Sequence, residues 1–220
     1  MKQTLLFLAL TFTIQLYAQS EEKTYYKDVV EDCIEELNKQ IQLAWANKEN
    51  EKAKKLFQQV IDDCVKGKYL ANYNFKTIEG EIIKTDEIDK PILLMTSATW
   101  CPPCWGEIPT LNKLAVKYEK DLQIIVLFWN KRKDLKKMAA NYDKRIHLIP
   151  SEEEPIDDST IMISGFIHKL DYPAAYLIGK NKSILDLTRG AAFPSDKMTW
   201  EEANEINETK LTNFLSPILK

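Results

Sequence analysis

Pro91-Ile92-Leu93-Leu94-Met95-Thr96-Ser97-Ala98-Thr99-Trp100-Cys101-Pro102-Pro103-Cys104-Trp105-Gly106-Glu107-Ile108-Pro109 is the stretch on which the fold turns. Its first six residues form a continuous, mostly apolar run, as in a strand buried on both faces of a sheet. Beyond it, Ile108, Leu111, Leu114, Ala115 and Tyr118 recur at helical spacing, which predicts a helix over residues 103–120. The pair Cys101 and Cys104 therefore lies at a strand-to-helix turn. There the unsatisfied N–H groups and the helix dipole favour a thiolate on the first sulfur, making Cys101 the nucleophile. Pro103 falls near the first helical position, where a missing N–H costs little. Cys104, one turn inside, is placed to close a bridge back to Cys101, so the pair can alternate between dithiol and disulfide.

Outward from this point the chain alternates between strand and helix patterns. Residues 73–77 and 81–84 flank the turn Glu79-Gly80 and predict a hairpin of short strands. Leu122 to Trp129 is a second buried strand, Lys131 to Tyr142 a second helix, and Ile146 to Ile149 a short strand. Ala174 to Ile178 and Ser183 to Leu187 form another hairpin about Gly179-Lys180-Asn181-Lys182, and Trp200 to Leu215 is an amphipathic helix. This order predicts an α/β mixed sheet with helices on both faces. The acidic residues Glu152, Glu153, Glu154, Asp157 and Asp158 and the basic run Lys131-Arg132-Lys133 read as solvated surface.

The N-terminal region has a different texture. Lys2 and the apolar run Leu5 to Leu16, ending at Leu16-Tyr17-Ala18, read as a secretory signal peptide cleaved after Ala18. Such a run is short for a membrane span and no other follows, so no span is expected in the mature chain. Val29/Val30, Cys33/Ile34, Leu37, Ile41 and Trp45, then Ala53, Leu56/Phe57, Val60/Ile61 and Cys64/Val65, predict an antiparallel helical hairpin turning at Asn47 to Asn50 and ending at Gly67. The simplest role for it is an appendage packed on one face of the main domain. The expected division is 1–18 signal peptide, 19–70 hairpin appendage and 71–220 main domain. In that hairpin Leu37 faces Val60, Ile41 faces Leu56, and the same register sets Cys33 against Cys64. An exported chain permits disulfides, so Cys33 and Cys64 are expected to form a structural one.

Trp100-Cys101-Pro102-Pro103-Cys104 with Glu107 and Pro109 resembles the W-C-x-P-C-x-x-E-x-P signature of the TlpA/ResA branch of the thioredoxin-like superfamily. Asp171-Tyr172-Pro173-Ala174-Ala175-Tyr176-Leu177-Ile178 is similar to that branch's Y-P-T-x-x-x-I-D segment. The resemblance runs from about Asn72 to the C-terminal helix. It implies a thioredoxin-like fold, export, to the periplasm of a Gram-negative bacterium in the first place with secretion as the alternative, and thiol-disulfide exchange on exported proteins, apocytochrome haem-attachment cysteines among them. It further implies a cis Tyr172–Pro173 bond whose backbone pairs with a substrate strand, and a substrate-binding surface of Trp100, Pro102, Pro103, Tyr172 and Pro173. Glu107 maps to the family's acid beneath the cysteines. Met95 stands where thioredoxin carries its buried aspartate, which leaves Glu107 as the general base for Cys104. Ala174 and Gly179 depart from the pattern where Thr and Asp are usual, which leaves substrate preference open.

Other chemistries fit less well. A zinc site lacks ligands, since Cys33 and Cys64 are isolated and His147 and His168 share no ligand spacing with the dithiol. A copper-delivery protein of related fold would carry a wider C-x-x-x-C and a later His, for which His168 is only loosely placed. A peroxidatic Cys needs a different loop. No metal or cofactor is expected. The formal charge of −3 and the lack of a basic aromatic face argue against nucleic acid. The expected partners are protein thiols and disulfides and a membrane or periplasmic electron donor. Reductase, oxidase and isomerase directions all stay open, because dithiols of this kind span potentials of roughly −270 to −120 mV.

Overall fold

The structure is a computed structural model and describes residues 23–154 and 160–219. The expected signal peptide, Asp157 and Asp158 lie outside them. The chain begins with α1 (Tyr26–Ala46) and α2 (Asn50–Gln59), and α2 passes into a π-helical segment, Val60–Val65. There follow β1 (Asn74–Lys76), β2 (Ile82–Lys84), β3 (Ile92–Ser97), α3 (Pro102–Lys117), β4 (Gln123–Phe128), α4 (Arg132–Ala139) and β5 (His147–Pro150). Then come β6 (Ile161–Ile163), β7 (Phe166–His168), β8 (Ala174–Ile178), β9 (Ile184–Arg189) and α5 (Trp200–Leu215).

The central sheet has the order β5-β4-β3-β8-β9. β3, β4 and β5 run parallel, whereas β8 is antiparallel to β3 and β9 antiparallel to β8. Because side chains alternate along a strand, each central strand feeds two cores. Leu93 and Met95 of β3, Val126 of β4 and Leu177 of β8 pack with Ile108 and Leu111 of α3 and Leu211 and Leu215 of α5. Ile92 and Leu94, with Ile125 and Tyr176, pack instead against Val30 and Ile34 of α1 and against Val60, Ile61 and Val65. The uninterrupted apolar text of β3 is thus explained by burial on both faces. The expected α/β architecture, a mixed sheet flanked by helices and preceded by a helical hairpin, is the one observed. The hairpin does more than cover a surface, since its apolar stripe is continuous with the core of one sheet face.

Cys33 and Cys64 are joined, with Cα atoms 5.8 Å apart, and so tie α1 to the π-helical segment. Three details differ from the periodicity. The second helix starts at Asn50 rather than Ala53 and finishes as a π-helix, whose Lys66 N–H reaches the Ile61 carbonyl at 2.8 Å. α4 stops at Ala139 because the Asn141 amide donates to the Lys137 and Met138 carbonyls at 3.0 and 3.3 Å and ends the helix. The hairpin β6–β7 has no counterpart in the sequence reading: its strands have three residues each, too short for a period, and turn at Ser164 and Gly165, both with positive φ. Its Phe166 stacks on Tyr26 and so belongs to the hairpin-side core. The acidic and basic runs meet at the surface, where Lys131 pairs with Glu154 and Arg132 with Glu152. Among the described residues no helix is long and apolar enough to cross a membrane.

Candidate active site

β3 delivers the chain to the C-terminal edge of the sheet, and α3 starts there. Cys101 is the N-cap of α3, and Pro102 rather than Pro103 takes the first helical position, with Pro103 second. Both prolines thus stand where an amide N–H would have no helical partner. The Cys104 N–H points back at Cys101, 3.1 Å from its carbonyl oxygen and 3.3 Å from its Sγ. A backbone dipole is therefore aimed at the first sulfur, the arrangement that lowers a thiol's pKa. The two sulfurs are joined, with Cα atoms 5.3 Å apart, and both cysteines are buried. The loop before them is fixed by Asn130, whose carboxamide oxygen accepts the Thr99 N–H at 2.7 Å, and by Trp105, whose indole N–H donates to the Thr99 carbonyl at 2.9 Å.

Glu107 lies one turn after Cys104, on the buried side of α3 and only 4% exposed. Burial pushes its carboxyl up to about 8, against the pull of the Lys210 ammonium. That value lies close to an ordinary thiol, so a proton can pass between the two with little energetic cost. Lys210 of α5 is half buried, its own pKa is lowered by burial, and it donates to the Arg189 carbonyl at 2.8 Å and to the Gly190 carbonyl. Tyr142 lies close enough to Glu107 to feel its charge, and its phenol is raised by burial and by that charge.

The outer face of the dithiol is aromatic. Trp100 is 59% exposed, its ring edge-to-face with Trp129 at 6.2 Å and with Tyr172 at 5.9 Å. The Tyr172–Pro173 peptide bond is cis. Pro173 comes next to this site because Ala174 pairs with Thr96, near the end of the strand that leads into Cys101. Of the residues singled out from the sequence, Trp100, Cys101, Pro102, Pro103, Cys104, Glu107, Tyr172 and Pro173 gather at this one edge. Cys33 and Cys64 sit together within the helical hairpin. His168 is buried, and both of its ring nitrogens are engaged, Nδ1 with the Tyr176 hydroxyl at 2.9 Å and Nε2 with the Asp171 carbonyl at 2.7 Å. Among the described residues no three His, Cys, Asp or Glu side chains converge as a metal site would need.

Sequence reasoning missed two contributors from α5, Asn207 and Lys210. For Asn207 a signal existed: it interrupts the buried stripe Ala203, Leu211, Leu215, and a carboxamide on such a stripe needs partners. Lys210 carried no such mark.

A redox pair at the N-terminus of a helix, on a five-stranded mixed sheet, defines a thiol-disulfide oxidoreductase of the thioredoxin-like class. The AhpC/TSA family matches residues 66–186, and the chain belongs to that family. YneN, a thioredoxin-like protein of Bacillus subtilis (strain 168), is 26% identical over 129 residues, covering 56% of this chain and 71% of its own length. A thiol-disulfide oxidoreductase ResA of Bacillus cereus is 29% identical over 123 residues, 54% of this chain and 67% of its own. Among solved structures, StoA from Bacillus subtilis superposes with a TM-score of 0.40 at 18% identity, over 63% of this chain and 97% of that one.

Proposed function

We propose that the chain is exported, in a Gram-negative bacterium to the periplasm, and there reduces disulfides of other exported proteins, apocytochrome haem-attachment cysteines being one such class. Residues 71–220 are the redox unit and residues 19–70 the helical pair behind it. Cys101 as a thiolate attacks one sulfur of the substrate disulfide, forming a mixed disulfide and expelling the first substrate thiolate. Glu107 accepts the Cys104 proton. The Cys104 thiolate then attacks Cys101 Sγ, the mixed disulfide breaks, and the second substrate sulfur leaves and is protonated. The substrate gains two electrons and the chain is left with the Cys101–Cys104 bridge, which a membrane or periplasmic dithiol donor reduces again. Trp100, Pro102, Pro103, Tyr172 and Pro173 form the surface against which the substrate strand lies, with the Tyr172 backbone as its pairing edge.

The observation that carries this reading is the Cys104 N–H aimed at Cys101 Sγ, one helical turn before a buried acid with a pKa near that of a thiol. Export is supported by the Cys33–Cys64 bond, which belongs in an oxidising compartment, together with the N-terminal apolar run. The test is dithiothreitol-driven reduction of insulin by the mature chain, set beside the Cys101–Cys104 potential measured against glutathione. Turnover with a potential near the reducing end of the dithiol range supports a reductase, and a potential near the oxidising end assigns the reverse direction.

A further inference from the structure

We propose that His168 and Arg189 are positioning residues that hold Asp171, and through it the Tyr172–Pro173 edge, in place for a substrate strand, with the N-terminal helical pair bracing both; this rests on the reading of that edge given above. Asp171 directly precedes the edge and has φ 60, in the left-handed region that side chains other than glycine seldom adopt. Aspartate enters this region more readily than most side chains, but holding it in a single conformation still takes neighbours that fix it. Two side chains do so here. The Asp171 carbonyl accepts from His168 Nε2 at 2.7 Å, and its carboxylate accepts from Arg189 Nη1 at 2.8 Å.

The imidazole is tied in turn to α1. A carbonyl can only accept, so Nε2 carries the ring proton and Nδ1 accepts from the Tyr176 hydroxyl at 2.9 Å. Tyr176 then accepts from the Tyr26 hydroxyl at 3.1 Å. The donor order is Tyr26, Tyr176, His168, ending on the Asp171 carbonyl; the first two steps are buried and the last part-buried, with Thr96 Oγ1 3.3 Å from the same Nε2. His168 stays neutral at physiological pH because burial presses it down to about 4, so the order is not scrambled by protonation. Arg189 is tied to α2: its guanidinium lies 3.7 Å from the centroid of the Phe57 ring. Tyr26 and Phe57 therefore each stand behind one of the two groups that grip Asp171. At the other end of the edge, the Tyr172 ring meets Trp100, so the edge and the exposed indole form one continuous surface for a substrate strand.

The experiment uses the mature chain with His168→Phe, His168→Gln, Arg189→Met or Tyr26→Phe. Each variant is read three ways: insulin reduction as separate KM and kcat, reaction of the reduced chain with 5,5′-dithiobis(2-nitrobenzoate), and dithiol equilibrium with glutathione. His168→Phe is expected to raise the insulin KM roughly tenfold, as for loss of one well-made hydrogen bond, with kcat, the small-disulfide rate and the glutathione equilibrium unchanged. His168→Gln, which keeps an N–H, restores most of the loss. Arg189→Met raises KM about threefold, as for a half-exposed pair, and Tyr26→Phe less. An unchanged KM in both His168→Phe and Arg189→Met overturns the proposal, as does an equal loss on insulin and on the small disulfide, which would place the damage at the dithiol. If His168→Phe fails to fold, Arg189→Met and His168→Gln still decide the matter. A wild-type chain that reacts with the small disulfide but never saturates with insulin would contradict the edge reading itself.

Discussion

Asn207 of α5 donates to the Gly106 carbonyl of α3 at 2.9 Å, one residue before Glu107. The same carboxamide donates to the Ala192 carbonyl at 2.9 Å and accepts the Ala192 N–H at 2.8 Å, so both of its donors and one acceptor position are used. Gly106 is required for this approach, since a Cβ there would stand 2.3 Å from the Ala192 carbonyl oxygen. Pro109, inside α3, removes the N–H that would have bonded to the carbonyl of Trp105. Asn207 thus fastens from outside a turn that its own helix holds incompletely.

Replacing Asn207 by Leu removes three hydrogen bonds to backbone groups, one buried and two part-buried, and is expected to cost about 3 kcal/mol of stability. Urea unfolding of the oxidised chain measures it, and a loss below about 1 kcal/mol would mean that the α3–α5 contact stands without the carboxamide.

Glu107 sets the pH dependence of stability above neutrality. Its carboxyl is raised in the folded chain to about 8, so the folded state holds a proton that the unfolded state has already lost. Stability therefore falls as pH rises from the ordinary carboxylate value to about 8, with a slope of up to about 1.4 kcal/mol per pH unit. His168, pressed down to about 4, and His147, also lowered by burial, have the opposite sign: their contribution is lost as pH falls below about 6.5. The two trends offset one another below about pH 6.5 and leave Glu107 alone above it. Between pH 6.5 and 8 the oxidised wild type should lose stability while Glu107→Gln stays flat, as read by chemical denaturation. In turnover the same variant should slow the second step and lose the corresponding limb of the pH–rate profile, and an unchanged profile would remove Glu107 from proton transfer.

The Cys33–Cys64 bond closes a loop between residues 31 apart, which in the chain-entropy model stabilises by about 3 to 4 kcal/mol. The double variant Cys33→Ala/Cys64→Ala should lose that much in denaturant while retaining insulin turnover per folded molecule. Loss of turnover in the folded variant would give this pair a part in exchange.

The fold was legible where one face or one turn carried its own signature. The two-faced apolar text of β3 and β4 announced central strands, and the dithiol sits within a single helical turn, so its surroundings are local in sequence. What escaped is non-local. Asn207 meets Gly106 across 101 residues, and Tyr26 meets Tyr176 across 150, contacts that leave no period in either segment. β6 and β7 escaped for a different reason, since three residues cannot display an alternation. The end of α4 was set by the Asn141 side chain, a local hydrogen bond that competes with helix continuation and that apolar spacing does not register.

In the proposed exchange Cys101 attacks and Cys104 resolves. This order is tested most directly by mass spectrometry of the covalent adducts formed when Cys104→Ser and Cys101→Ser are each mixed with a disulfide-bonded substrate protein. A mixed disulfide is expected on Cys101 in the Cys104→Ser chain and no adduct in the Cys101→Ser chain, with turnover abolished in the latter. A stable adduct on Cys104 in the Cys101→Ser chain, with none on Cys101 in the other, would contradict that order.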